Sequence, residues 1–113
     1  MSINYNRNEQ IFTLHTTTTT YQMKVDQYGY LLHLYYGTAI PETDMSYLYQ
    51  PADRGFSGNP YEAGRDKTYS LDTLPQEYPS TGIGDYRLGC LSLVNGDGSR
   101  AASWKYQSHA IHS

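Results

Sequence analysis

The stretch that decides the fold is Tyr21-Gln22-Met23-Lys24-Val25-Asp26-Gln27-Tyr28-Gly29-Tyr30-Leu31-Leu32-His33-Leu34-Tyr35-Tyr36. Its first five residues alternate in polarity, which predicts a strand with Tyr21, Met23 and Val25 facing inward. Residues 26–29 are typical of a hairpin turn. Residues 30–36 are apolar on both faces, so they predict a central strand that is covered on both sides.

Further strand patterns lie on both sides of this hairpin. Residues 2–5 and 11–16 precede it, and residues 86–94 and 101–111 follow it; the last two are joined by Asn95-Gly96-Asp97-Gly98, a strong hairpin signal. Pro41 to Tyr49 is the one segment with the features of a short helix. We therefore predict an all-β fold: an antiparallel β-sandwich with at most one short helix.

A long connection runs from about residue 37 to residue 85 and has almost no sustained periodicity. Connections of this length are usually functional or disordered. This one is rich in aromatic and charged residues, which favours an ordered functional loop. The predicted strands at the outside of the sheet would be open edges, which natural domains usually cover. We therefore expect residues 1–113 to form a single, incomplete part of a larger β domain.

Composition narrows the possible functions. The 113 residues include 13 tyrosines, and the net charge is −3 with no basic block. This charge disfavours nucleic acid and anionic membrane as partners. Tyrosine suits sugar recognition, because its ring stacks on sugar faces while its hydroxyl hydrogen-bonds, but it is also a good strand residue. No signal peptide or membrane span is evident, so we expect a cytoplasmic protein.

Metal and cofactor chemistry is not expected. His109 and His112 are three residues apart on a predicted strand or tail, where this spacing places them on opposite faces. No carboxylate or cysteine spacing completes a metal site. Cys90 lies in an apolar run and is expected to be a small buried residue. We predict no metal and no cofactor.

Carboxylates are the remaining enzymatic option, since a glycosidase needs two facing acids. The carboxylates of the long loop include Asp53, Asp66, Asp72, Glu77 and Asp85. Several of them neighbour arginines, as in Arg65-Asp66 and Asp85-Tyr86-Arg87, which favours ion pairs and turn caps that pin the loop. Asp53 and Arg54, close to Phe56, would also suit a sugar-binding lip, with fixed hydrogen-bond partners beside a stacking face.

Four segments together carry a family resemblance. Residues 28–37, 53–57, 69–79 and 84–87 resemble, in the same order, the N-terminal domain of family-36 bacterial α-galactosidases. The resemblance implies the start of a large β-sandwich that precedes a (β/α)₈ barrel. It also implies parent enzymes that hydrolyse terminal α-linked galactose, as in melibiose and raffinose, with retention.

The resemblance further implies a homo-oligomer in which the loop of one subunit reaches the active-site mouth of another. On this basis Asp53, Phe56 and Arg65 are predicted to contact the α-galactoside, with Arg54 as a further contact. The family's catalytic aspartates belong to the barrel, and no residue here matches their motifs. We therefore predict no catalytic residue and no hydrolysis by this chain alone.

Three functions remain open at this point. The chain could be the scaffold, oligomer interface and active-site lip of an α-galactosidase. It could be a free-standing carbohydrate-binding β-sandwich that uses the same tyrosines and loop. It could also be a structural assembly domain without a ligand. Titration with galactose or raffinose separates the last two.

Overall fold

One antiparallel sheet is the framework of the protein. The computed structural model describes residues 1–53, 55, 58–82 and 85–112. The strands are β1 (Ser2–Asn6), β2 (Ile11–His15), β3 (Thr19–Val25) and β4 (Leu31–Thr38), in the spatial order β1-β2-β3-β4. The single turns of 3-10 helix at Ser46–Leu48 and Tyr61–Ala63 are the only helical segments in these described ranges. The predicted all-β antiparallel fold is confirmed.

The turn between β3 and β4 is built around Asp26. Its backbone N–H donates to the carbonyl oxygen of Tyr30 at 2.9 Å, which closes the hairpin. Its side-chain Oδ1 accepts the N–H groups of Tyr28 and Tyr30, both at 2.9 Å. Gly29 adopts a φ of 90°, which glycine reaches without the strain other residues would incur. The hairpin predicted at residues 26–29 is confirmed.

A bulge in this hairpin separates its two halves. Gln22 lies opposite Tyr35 whereas Met23 lies opposite His33, so Leu34 is the extra residue in β4. In β3 the fully buried residues are Thr20, Gln22 and Val25, while Tyr21 and Met23 are half-buried. The predicted inward face is therefore right only for Val25.

The buried amide of Gln22 explains this difference. Its Nε2 donates to Thr13 Oγ1 at 3.0 Å and to the Thr43 carbonyl at 2.7 Å, and its Oε1 accepts the Met45 N–H at 2.9 Å. A buried polar group whose hydrogen bonds are made costs little. Alternation of apolar residues cannot reveal such a site, because it assigns every glutamine to solvent.

The predicted helix from Pro41 to Tyr49 is wrong except for the single turn Ser46–Leu48. The Thr43 carbonyl and the Met45 N–H are used by Gln22, and the Ile40 N–H donates to Thr20 Oγ1 at 3.1 Å. A helix over this segment would need the Thr43 carbonyl and the Met45 N–H for its own hydrogen bonds. The segment is therefore tied along the sheet instead.

Strand β4 lies at the edge of the four-stranded sheet, so its predicted central position is wrong. Residues 75–77 of the long connection run beside it. The His33 N–H donates to the Pro75 carbonyl at 2.7 Å, and the Glu77 N–H donates to the Leu31 carbonyl at 2.9 Å. The loop backbone thus bonds to part of the backbone N–H and carbonyl groups on the edge of β4, where a further strand was expected.

The strands predicted at residues 86–94 and 101–111 are absent from this structure, although both segments are described. Their backbones make separate contacts rather than a ladder, such as Cys90 N–H to the Pro79 carbonyl at 3.0 Å and Tyr106 N–H to the Gly29 carbonyl at 2.7 Å. The turn at Asn95 forms as predicted, with Asn95 N–H donating to the Ser99 carbonyl at 2.8 Å. Cys90 is exposed, so its predicted burial is wrong.

Candidate functional site

The base of the long loop packs on the sheet through an apolar cluster. Its buried members are Tyr30, Leu32, Ala63, Tyr69, Leu71 and Leu74. Leu74 is fully buried, and Tyr28 and Tyr49 pack against the edge of the cluster. Because four of these six residues belong to the loop, the loop supplies much of the protein's core. Its base is therefore part of the folded structure.

Tyr69 connects the loop to the β3–β4 turn. Its hydroxyl donates to Asp26 Oδ2, while Asp26 Oδ1 holds the turn itself. Its ring stacks edge-on against Tyr28, with ring centroids 4.7 Å apart. Burial, and then the hydrogen bond to the Asp26 carboxylate, raise the pKa of Tyr69 well above its usual value. One carboxylate thus orders both the hairpin and the loop.

Asp85 and Arg87 form a clamp on the loop, as predicted. Asp85 is buried, and its carboxylate accepts from Arg87 Nε at 3.1 Å and Arg87 Nη2 at 3.0 Å. The guanidinium also donates to the carbonyl oxygens of Leu71 at 2.6 Å and Leu74 at 2.7 Å. Gln76 Nε2 donates to the same Asp85 carboxylate at 3.0 Å. These bonds fix the loop backbone at residues 71–76.

Glu77 holds the end of the loop against the other side of the hairpin. Its Oε1 accepts the Tyr21 hydroxyl and lies 3.2 Å from His33 Nδ1. Burial, and then the bond to Glu77, raise the pKa of Tyr21 above its usual value. Among the loop carboxylates named from the sequence, Glu77 is thus bonded to side chains of the hairpin, and Asp85 to Arg87 and Gln76.

Two exposed charged residues, Asp53 and Arg65, together termed the tip of the loop, contrast with its buried base. Asp53 is exposed, and its Oδ1 accepts the Gly55 N–H at 2.6 Å in a local turn. Arg65 is also exposed, and its neighbour Asp66 is capped by Thr68, which lowers the Asp66 pKa. No hydrogen bond or ion pair joins Asp53 to Arg65 in the part of the chain that the structure describes. The predicted contacts Arg54 and Phe56 lie outside the described residues.

The 3-10 turn Tyr61–Ala63, which lies in the sequence between Asp53 and Arg65, is bonded to the C-terminal part of the chain. Lys105 Nζ donates to Glu62 Oε1, and it lies 5.4 Å from the centre of the Tyr30 ring. The bond to Lys105 lowers the pKa of Glu62. Sequence reasoning missed this contact, because the two residues are 43 positions apart and neither belongs to a motif.

An open groove of about 350 Å³ lies next to this contact. It is lined by Leu31, Gln76, Tyr78, Leu91 and residues 104–108. Within the described ranges, no three histidine, cysteine or acidic side chains are grouped as metal ligands. No helix among those residues has the length and apolar character of a membrane span.

Comparison with known proteins identifies the group to which these features belong. Residues 29–113 match the Glycosyl hydrolase family 36 N-terminal domain. Over 111 residues the chain is 59% identical to the bifunctional alpha-galactosidase/sucrose kinase AgaSK of Mediterraneibacter gnavus. That alignment covers 98% of this chain and 12% of the relative. The chain thus spans a small part of the length of this relative.

Solved structures of relatives share the fold. The galactosidase domain of AgaSK superposes with a TM-score of 0.89 at 59% identity, covering 95% of this chain and 15% of that one. A variant of the family-36 alpha-galactosidase AgaA of Geobacillus stearothermophilus, in complex with raffinose, gives a TM-score of 0.78 at 35% identity. This second match covers 88% of this chain and 14% of that one.

Proposed function

Because the chain belongs to the N-terminal domains of glycosyl hydrolase family 36, we propose that it acts within an α-galactosidase that hydrolyses terminal α-galactosides of the melibiose and raffinose type. In that enzyme it serves as scaffold, oligomer interface and lip of the active site. The reactive aspartates lie on polypeptide outside this chain. The relatives named above are alpha-galactosidases, and one of them has been solved with raffinose, which supports the substrate class.

The observation that carries the proposal is the contrast within the long loop. Its base is buried in the core and clamped by Arg87, whereas Asp53 and Arg65 are exposed. A loop built in this way presents charged side chains from a fixed support, with little ordering cost on binding. Carboxylate and guanidinium groups are suitable hydrogen-bond partners for sugar hydroxyls. We propose that they contact the α-galactoside in the active site of a neighbouring subunit, together with Phe56 and Arg54.

The lip role is tested by Asp53→Ala and Arg65→Ala in the full-length enzyme. Each substitution removes a contact with bound sugar, so kcat/KM for raffinose should fall about tenfold. Asp66→Asn is the matched control, because Asp66 is an exposed carboxylate whose hydrogen bonds go to its own neighbour Thr68. Unchanged raffinose kinetics in both alanine variants would refute the lip role.

The proposal that the catalytic aspartates lie outside this chain is tested with the purified 113-residue chain. We expect no release of the aryl group from an aryl α-galactoside, and turnover would show that the chain has its own catalytic residues. Titration of the same chain with raffinose tests the alternative function, a free-standing carbohydrate-binding module. Saturable binding by the chain alone would favour that module over a lip that needs a neighbouring subunit.

The oligomer interface is tested by the mass of the full-length enzyme in solution, with and without this domain. We expect the assembly to become smaller when the domain is removed. The cytoplasmic location stays a prediction, and fractionation of cells that express the protein would test it.

A further inference from the structure

Tyr61 is an almost completely exposed aromatic residue on a firmly held turn. The residue is 97% exposed, whereas its neighbours on the 3-10 turn are anchored. Pro60 is buried, and Ala63 is buried in the apolar cluster beneath the loop. Glu62 is bound by Lys105 from the C-terminal part of the chain. The backbone that supports Tyr61 is therefore fixed on both sides.

Exposure alone would mean little, since single exposed apolar side chains are ordinary on protein surfaces. Tyr61 differs from them in its place in the sequence, between Asp53 and Arg65, the two exposed residues proposed to contact sugar. A tyrosine on a rigid support offers a large contact surface at a low cost in conformational entropy. Aromatic residues of this kind are the usual energetic anchors of binding surfaces.

We propose that Tyr61 is a further substrate-contacting residue that stacks against the sugar units attached to the terminal galactose. This inference rests on the proposed lip role of the loop. An enzyme that removes a terminal galactose must hold that sugar in its catalytic pocket, so the rest of the oligosaccharide projects through the pocket mouth. A residue on the lip meets these outer units. The C–H groups of a sugar ring form an apolar face that packs on an aromatic ring.

The test compares substrates with and without outer sugar units in the full-length enzyme. Tyr61→Ala should raise KM for raffinose and stachyose about tenfold and leave kcat nearly unchanged, because the lost contact serves binding. Hydrolysis of α-galactosyl fluoride, which has no outer sugar, should change less than twofold. Tyr61→Phe and Tyr61→Trp keep a ring and should retain most of the affinity. Tyr47→Ala is the matched control, since Tyr47 is 64% exposed on the other 3-10 turn.

Each result has a definite meaning. Unchanged raffinose kinetics in Tyr61→Ala, with reduced kinetics in Asp53→Ala, would overturn the role of Tyr61 and leave the lip intact. Unchanged kinetics in both variants would overturn the lip itself. An equal loss on raffinose and on the fluoride, or a smaller assembly by light scattering, would overturn the sugar contact and assign Tyr61 to a subunit interface.

Discussion

The base and the tip of the long loop differ in how their polar groups are used. At the base, the carbonyl oxygens of Leu71 and Leu74 and the carboxylate of Asp85 are bound by Arg87 or Gln76. At the tip, Asp53 and Arg65 are exposed. The difference indicates that the loop is stabilised from within its base, while its tip remains available for contacts outside this chain. Substitutions should therefore affect stability at the base and binding at the tip.

The largest effect on stability is expected from Leu74→Ala. Leu74 is fully buried under the loop, and its removal leaves a cavity in a cluster that joins loop and sheet. The free energy of unfolding should fall by about 2–5 kcal/mol, as measured by denaturant titration. Leu88→Ala is the matched control, because Leu88 is 96% exposed and should change little. Equal effects of the two substitutions would show that the loop base is not part of the core.

A somewhat smaller effect is expected from Arg87→Ala. The substitution leaves the buried Asp85 carboxylate without its charged partner and removes one of the two donors to each of the carbonyl oxygens of Leu71 and Leu74, which keep their bonds from Gln76. Because the Arg87 side chain is 36% exposed, solvent screens part of the interaction, and we expect a loss of about 2 kcal/mol. Asp85→Asn combined with Arg87→Ala should cost less than the sum of the single changes. The exposed Arg100→Ala is the control, and an equal loss there would argue against the clamp.

The same contrast explains how far the sequence predicts the structure. The hairpin at residues 21–36 has a local signal, because alternation and a turn lie within one stretch. The clamp of Asp85 on Arg87 was also predictable, since the two residues are neighbours in sequence. Two other features could not be predicted: the burial of Gln22 and the contact of Lys105 with Glu62. In each case the bonded groups are polar and distant from each other in the sequence.

The strands predicted at residues 86–94 and 101–111 failed for a related reason. Alternating residues describe a backbone that suits a sheet, but a strand also requires a second backbone that supplies a ladder. At these positions the structure offers separate contacts, such as Ala102 N–H to the Thr81 carbonyl at 2.9 Å. For the proposed lip, the resemblance could name Asp53 and Arg65 as candidates, while the anchored support of Tyr61 became visible only in three dimensions.

A smaller effect is expected from Tyr69→Phe, which removes only the hydroxyl bound to Asp26. The free energy of unfolding should fall by about 1–2 kcal/mol at pH 7, because Asp26 loses one of its three hydrogen-bond donors. The comparison variant is Tyr28→Phe, since the Tyr28 ring packs on the same cluster and only its backbone N–H is bonded to Asp26. A loss in Tyr28→Phe as large as that in Tyr69→Phe would contradict a special role for the Tyr69 hydroxyl.

The burial of Tyr69, together with this bond, also gives the stability a pH dependence with a definite sign. The pKa of Tyr69 is raised in the folded protein, whereas an unfolded tyrosine ionises near pH 10. The contribution is therefore fully present below about pH 10 and is lost as the pH rises above it, because the unfolded state releases its proton first. Unfolding followed between about pH 8 and pH 11 should show a steeper decline in the wild type than in Tyr69→Phe. Parallel curves would show that the pKa of Tyr69 is not raised in the folded protein.

The smallest effect on stability is expected from Asp53→Ala, at the tip. Asp53 is exposed and bonds only to the N–H two residues along the chain in the described structure, so the free energy of unfolding should change by less than about 0.5 kcal/mol. The same variant is expected to lose about tenfold in kcat/KM for raffinose in the full-length enzyme. A residue that only supported the fold would show the opposite relation: its substitution would lower the free energy of unfolding, and activity would fall only as a consequence. Stability and raffinose kinetics measured on the same preparation therefore separate a binding tip from a structural one, and a loss of several kcal/mol in Asp53→Ala would assign the tip to the scaffold.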